Sequence, residues 1–300
     1  ACDLHPGYFS TQYAKSLAGV RVIQVQHHWA HIASVLAEHR HPGPVIGIEC
    51  DGTGYGTDGA IWGCECMIAS LTQFTRFGHL AYYPLAGGDK ASKEAVRPLL
   101  GLLKQAYGAD FKLGEFSWLL ERIESDAERL KLIVEQIDKR LNVIDTSSLG
   151  RVFDAVAAML GLGNFNHFDA QLPMSLESVA DPGVDDRYEF DLHRADDEPL
   201  QLDLRSSIRG VVQDVRSCGP QRRRLLQPLS GGATGCEAET GGISSIVEPR
   251  CPGQRRRPRA RPGGNCREHG ESHLTRGQNL FFARQHAQNG RFSSPARLVD

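Results

Sequence analysis

Two imidazoles one helical turn apart are the first residues in this chain that could do chemistry together. In the run Val25-Gln-His-His-Trp-Ala-His31, His27 and His31 stand at i and i+4. On a helix both rings project from one face and can grip a single metal ion, while His28 points elsewhere. The spacing of Ile32, Val35 and Leu36 predicts a helix over 26–40, stopped by Pro42-Gly43-Pro44. A histidine face that is merely solvated, or that makes hydrogen bonds behind a site, is the alternative reading.

Twenty residues on lies a phosphate-binding candidate. Val45 to Glu49 reads as a buried strand, Asp51-Gly52-Thr53-Gly54-Tyr55-Gly56 as a tight turn, and Ala60 to Ala69 as the returning strand. Glycines at 52, 54, 56 and 59 permit positive φ and let backbone N–H groups approach an anion. Asp51 at the strand end can hold a Mg²⁺ bound to the phosphates. The strand, glycine turn, strand order is that of actin-like ATPases; an ordinary glycine hairpin is the bland alternative.

Taken in order, five runs resemble the HypF carbamoyltransferases of nickel–iron hydrogenase maturation. They are CDLHPGYFST from Cys2, VQHHWAH, DGTGYGTDG with Ile61-Trp62-Gly63, Gly78-His79-Leu80, and PLAGGDKASKE from Pro84 to Glu94. The similarity continues through SSLGRVFDAVA at 147–157 and QLPMSLE at 171–177, and covers residues 1 to about 214.

The resemblance implies part of a two-lobed α/β domain of the actin-like, hexokinase-like ATPase fold, shared with tRNA threonylcarbamoyl-adenosine synthase. It implies that carbamoyl phosphate and ATP give carbamoyl-adenylate, and that this domain passes the carbamoyl group to the C-terminal cysteine of a partner, HypE. The nucleotide and Mg²⁺ would then meet Asp51, Gly52, Thr53, Gly54, Gly56, Gly150, Asp154 and Glu177. Lys90 and Lys93 would act as catalytic cations, and His27 and His31 would carry Zn²⁺ or Fe²⁺. Where the family has Tyr-Glu-Gly-Gln, this chain has Phe168-Asp169-Ala170-Gln171, which shifts the expected ribose or base contact from Gln171 to Glu177.

The family also carries domains ahead of this one and a late Asp, in an NDGG-like segment, as a further metal ligand. Neither is found in these 300 residues, so weak metal binding and no turnover by the chain alone are expected. A non-catalytic remnant and an O-carbamoyltransferase of antibiotic tailoring are the competing readings; the DLHPGYFST and GGDKASKE runs favour the hydrogenase branch.

Composition bounds the rest. Of 300 residues 40% are hydrophobic, enough for a globular body, and the net charge of −2 conceals an asymmetry. From residue 216 onward there are fifteen arginines, no lysine and six acidic residues, so the positive excess is all in the tail. The chain reads as a domain over 1–215 and an Arg/Gly/Pro-rich tail over 216–300, either disordered or the product of a shifted reading frame, too poor in large apolar residues to offset its ordering entropy. The tail lacks the aromatic interleaving of a nucleic-acid arm. No run of eighteen apolar residues and no basic-then-apolar leader occurs, so a cytosolic protein without membrane contact is expected. Eight cysteines include no CxxC pair; Cys64 and Cys66 alternate onto one strand face, and reduced thiols are expected.

The elements that must position these residues follow from periodicity. A helix is expected over 10–17, a strand over 20–24, a third meander strand over 74–85, and a helix over 93–103. Two surface helices fall within 115–142. Ser147 and Ser148 cap a further helix with Phe153, Val156, Ala157 and Leu160 on its apolar side. Strand-then-helix patterns close the body between 188 and 215.

Overall fold

The computed structural model describes residues 1–181, 186–218 and 280–282. The chain opens with β1 (Cys2–Asp3), α1 (Phe9–Ser16), β2 (Gln24–Val25) and α2 (His27–Glu38). A meander follows: β3 (Val45–Tyr55), β4 (Ile61–Ala69) and β5 (Phe74–Leu80), with β6 (Tyr83–Ala86) leading to α3 (Val96–Tyr107). Next come α4 (Ser117–Leu120), α5 (Ala127–Asp138), β7 (Val143–Thr146), α6 (Leu149–Met159) and α7 (Gln171–Val179). The last described elements are β8 (Asp191–His193), β9 (Leu200–Asp203), α8 (Arg205–Cys218) and β10 (Leu280–Phe282).

The main sheet runs β10-β3-β4-β5-β9-β8, with β7 bridging β4 to β6. β3, β4 and β5 pair antiparallel, as the alternating pattern requires, and β9 adds parallel to β5. The fold class is therefore α/β, as expected. Two cores serve it. Ile32 and Leu36 of α2 pack with Val45, Trp62 and Met67 of the hairpin. The larger core surrounds α3, whose Leu99, Leu100, Leu102 and Leu103 are all buried against β6, α5, α6 and α8.

Three expectations are corrected here. The run 51–56 is not a turn: β3 continues to Tyr55, and the reversal falls at Gly56–Gly59, where Gly59 alone of the four glycines takes a positive φ of 84°. The expected strand over 74–85 breaks at Ala81-Tyr82, so that β6 leaves β5 to pair with β7. Phe153 is exposed; α6 is packed on several sides and buries Val152, Ala155, Ala157, Ala158 and Met159 instead. Of the tail over 216–300, the end of α8 and the three residues of β10 are described, Leu280 pairing with Ile46 of β3; the rest of that segment lies outside the described residues.

Candidate functional site

Between Cys50 and Gly54 the β3–β4 register shifts. Cys50 pairs with Cys64 and Gly54 with Trp62, so Asp51, Gly52 and Thr53 stand opposite Gly63 alone. This bulge takes three residues out of the ladder and re-aims them. Helix α6 fixes it from behind. Ser148 caps α6 by accepting from Arg151 N at 3.1 Å, and its hydroxyl also donates to the Gly52 carbonyl. Gly150 allows the contact, because a Cβ there would lie 2.8 Å from Gly52 Cα. The DGTG run is thus a bulged strand clamped by a helix N-terminus.

The bulge carries Asp51 to the histidine face of α2. Gln26 caps that helix by accepting from Trp29 N at 2.8 Å, which sets the phase of its first turn. His27 Nε2 lies 3.3 Å from Asp51 Oδ2 and 3.2 Å from His31 Nε2. One ligand atom each from His27, His31 and Asp51 falls within 4.8 Å of the other two. On the far side of the ring, His27 Nδ1 sits 2.6 Å from Asp3 Oδ2, on the strand that pairs parallel with β2. Gly54 permits this crowding: a Cβ there would lie 2.3 Å from His28 Cε1 and 3.0 Å from His27 Cδ2.

Protonation follows from these contacts. The Asp51 carboxylate, 3.3 Å from Nε2, and the Asp3 carboxylate bonded at Nδ1 push the His27 pKa up to about 9 against the opposing pull of burial. Burial pulls His31 down, helped by the neighbouring His27 charge, and pushes His28 down to about 3. Burial works against ionisation of Asp51, but His27, His28 and the Gly52 N–H outweigh it and hold its pKa below the usual range. Glu49, buried and next but one to Asp51, is pushed up to about 8, first by burial and then by the Asp51 charge. With no ion bound, a proton on His27 therefore sits among the atoms that would ligate one.

The donor set fits a divalent ion. Asp51 Oδ2 is buried and accepts no hydrogen bond of good geometry, as though awaiting a partner of another kind. Two imidazoles and a carboxylate match Zn²⁺ in a catalytic site or the facial triad of Fe²⁺. This revises the expectation of two ligands only. Asp51, read from the sequence as a Mg²⁺ and phosphate residue, is brought beside His27 and His31.

A cleft of about 840 Å³ adjoins the cluster, lined among others by Tyr8, Thr53, Gly54, Asp89, Ser92 and Arg151. Arg151 is buried and held at Nε, 2.7 Å from Asp154 Oδ2; Asn166 Nδ2 in turn donates to Asp154 Oδ1 at 2.9 Å. Burial pushes the Asp154 pKa up to about 6 even so. Asp154 faces its own helix and Asn166 and does not line the cleft, so it can act there only through Arg151. Lys90 and Lys93 are exposed on the turn whose Gly88, Asp89, Ala91 and Ser92 line the cleft, but are not lining residues themselves. Glu177 is exposed on the last turn of α7, and Gly52 and Gly56 also lie outside the lining. A Cβ on Gly56 would strike the Trp62 ring at 2.3 Å, so that glycine serves packing. Sequence reasoning missed Asp3, Tyr8 and Arg151, although all three lie inside or beside the runs that carry the resemblance.

The comparisons agree with this fold. Residues 47–227 match the family described as carbamoyltransferase, Kae1-like domain, second subdomain, and residues 1–38 match the HypF Kae1-like domain. The first match runs past residue 214, where the recognisable motifs end. Fold and site define a Kae1-like carbamoyltransferase domain. The chain belongs to the HypF carbamoyltransferase family. It is 36% identical over 227 residues to carbamoyltransferase HypF of Synechocystis sp., covering 72% of this chain and 29% of that protein. It is 40% identical over 187 residues to carbamoyltransferase HypF2 of Cupriavidus necator, covering 60% and 22%. Among solved structures, full-length HypF in a phosphate- and nucleotide-bound form matches with a TM-score of 0.65 at 39% identity, covering 73% of this chain and 28% of that one. HypF of T. kodakarensis matches with a TM-score of 0.62 at 34% identity, covering 73% and 29%. The chain thus spans less than a third of the length of these relatives. Among its described residues no helix is long and apolar enough to cross a membrane.

Proposed function

We propose that this chain contributes the acceptor half of a carbamoyl transfer, in which the carbamoyl group of carbamoyl-adenylate passes to the C-terminal cysteine thiol of HypE. Carbamoyl phosphate and ATP are the source of the adenylate. The observation that carries the reading is the meeting of His27, His31 and Asp51 beside Thr53 and Gly54, which line a cleft of about 840 Å³ together with Arg151. A full-length relative has been solved in a phosphate- and nucleotide-bound form, which supports nucleotide use by the family.

In this reading Arg151 pairs with the phosphate of the adenylate, and Asp154 and Asn166 keep its guanidinium aimed. Thr53 and Gly54 bring the backbone of β3 to the cleft wall, where it can approach the phosphate. Stabilising the phosphate makes AMP the better leaving group as the thiolate adds to the carbamoyl carbon. Lys90 and Lys93 draw the anionic donor from the rim. His27, His31 and Asp51 would hold Zn²⁺ or Fe²⁺, and such an ion would supply Lewis-acid polarisation of the donor. Tyr8, stacked on His5 at a centroid distance of 4.4 Å, gives the opposite wall a flat apolar surface for the nucleotide.

The test is to load the 300-residue chain with Zn²⁺, titrate it with AMP by calorimetry, and repeat with Arg151→Met. Specific AMP binding that the substitution weakens about tenfold or more, as for loss of a charge-assisted pair, supports the reading. Equal affinity in both proteins rejects the cleft as the nucleotide site. Mass analysis of HypE after incubation with carbamoyl-adenylate and the chain then reports whether transfer itself occurs.

A further inference from the structure

The face of the hairpin turned away from α2 carries chemistry that the proposed reaction does not use. Along β3, Val45, Gly47 and Glu49 are buried toward α2, while Ile46, Ile48 and Cys50 alternate onto the other face. Cys50 is exposed, and its partner directly across the antiparallel ladder is Cys64, half-buried on β4. The two residues stand directly opposite each other in the ladder, with no residue between them. Directly opposed residues of an antiparallel pair have Cα atoms about 4.5–5.5 Å apart, inside the roughly 4.4–6.8 Å that a disulfide spans. Cys66 shares the face but lies opposite Ile48. It is diagonal to Cys50, about 7–8 Å away by Cα, beyond easy bridging.

We propose that Cys50 and Cys64 form an oxidisable dithiol, a modification site for peroxide that closes to a cross-strand disulfide one residue before Asp51. Cys50 is the thiol that peroxide reaches, because it is the exposed member of the pair. Its sulfur attacks peroxide; an S–O bond forms, the O–O bond breaks, and the departing hydroxide leaves as water with the thiol proton. Cys64 sulfur then attacks the resulting sulfenic sulfur; the S–S bond forms, the S–O bond breaks, and a second water leaves with the Cys64 proton. Two thiols lose two electrons and two protons, and one peroxide becomes two waters. The partly buried Cys64 is shielded from direct attack yet directly across the ladder from the sulfur it must resolve, the arrangement of an attacked and a resolving thiol.

The experiment treats the reduced 300-residue chain with one equivalent of hydrogen peroxide, blocks remaining thiols with N-ethylmaleimide, and digests with a protease that cuts before Asp. Cleavage before Asp51 and Asp58 separates Cys50 from Cys64 and Cys66. The expected product joins the fragment ending at Cys50 to the fragment starting at Asp58 and is released by dithiothreitol. It should form equally in Cys66→Ser and be lost in Cys64→Ser, where dimedone instead traps Cys50 as the sulfenic acid. Cys50 left fully alkylated after peroxide, or found joined to Cys66 or to a cysteine elsewhere in the chain, would overturn the proposal.

Discussion

Asp3 and His27 are 24 residues apart in sequence and 2.6 Å apart in space, Oδ2 against Nδ1. That contact makes Nδ1 the donor nitrogen and turns Nε2 of the same ring toward Asp51 and His31. A carboxylate behind a ligating histidine fixes both tautomer and ring orientation, and its loss generally costs ten- to a hundred-fold in metal affinity. Asp3→Ala should therefore weaken Zn²⁺ binding by about ten- to a hundred-fold, with the fold intact because, apart from His27, the Asp3 carboxylate bonds only the His5 N–H of its own loop. Competition against a chromophoric chelator, with circular dichroism as the folding control, measures this. An unchanged affinity would mean that Asp3 orients nothing.

The proton on His27 gives a second expectation. An ion can bind only after that proton leaves, and with the His27 pKa at about 9 the metal-free site is protonated at neutral pH. Apparent Zn²⁺ affinity should rise by about tenfold for each pH unit up to about 9 and then level off, if this proton dominates. Calorimetry at pH 7.5 in two buffers of different ionisation enthalpy should report close to one proton released. Release of none would place the proton elsewhere.

Gly52 in the bulge and Gly54 just after it should answer differently to one methyl group. A Cβ on Gly54 would lie 2.3 Å from the wholly buried ring of His28, whereas at Gly52 the nearest atom is an Arg151 nitrogen at 3.8 Å. Neither residue has a positive φ, so the contrast rests on space alone. Gly54→Ala should displace His27 and His28, lowering the melting temperature and abolishing tight metal binding, while Gly52→Ala should melt within a degree or two of the parent. Melting curves with and without Zn²⁺ decide it, and equal behaviour of the two variants would refute the close-packing account.

What was legible in the sequence had local causes. Helix α2 came from its own apolar spacing and its Pro-Gly-Pro stop, and the β3–β4 hairpin from alternation. The bulge was not legible, because glycines in a row look like a turn, and what keeps Asp51–Thr53 in the strand is Ser148 and Gly150 pressing from α6, nearly a hundred residues later. Asp51 could be picked out as functional but not assigned to the histidines, since its direction depends on that bulge. Asp3 stood in the CDLHPGYFST run without a role, because only the parallel pairing of β1 with β2 brings it to His27. Phe153 was misassigned because the periodic pattern of a helix packed on several sides does not single out one apolar face.

Glu49 is the least expected group in the core, a buried carboxyl whose Oε2 has no hydrogen-bond partner. Burial and the Asp51 charge raise its pKa from 4.5 to about 8 in the folded chain, so the unfolded chain gives up the proton first as pH rises. The stability tied to the uncharged acid is thus full below pH 4.5 and is lost progressively as pH climbs through about 8. Glu49→Gln preserves the shape of the protonated acid and cannot ionise. In chelator-treated protein the variant and the parent should melt at similar temperatures near pH 5, and the variant should become the more stable of the two by pH 8.5. Other titrating groups cancel in this comparison, because they are common to both proteins. A difference in melting temperature that stays constant across that range would show that Glu49 is ionised in the folded state, stabilised by a partner other than the hydrogen bonds described.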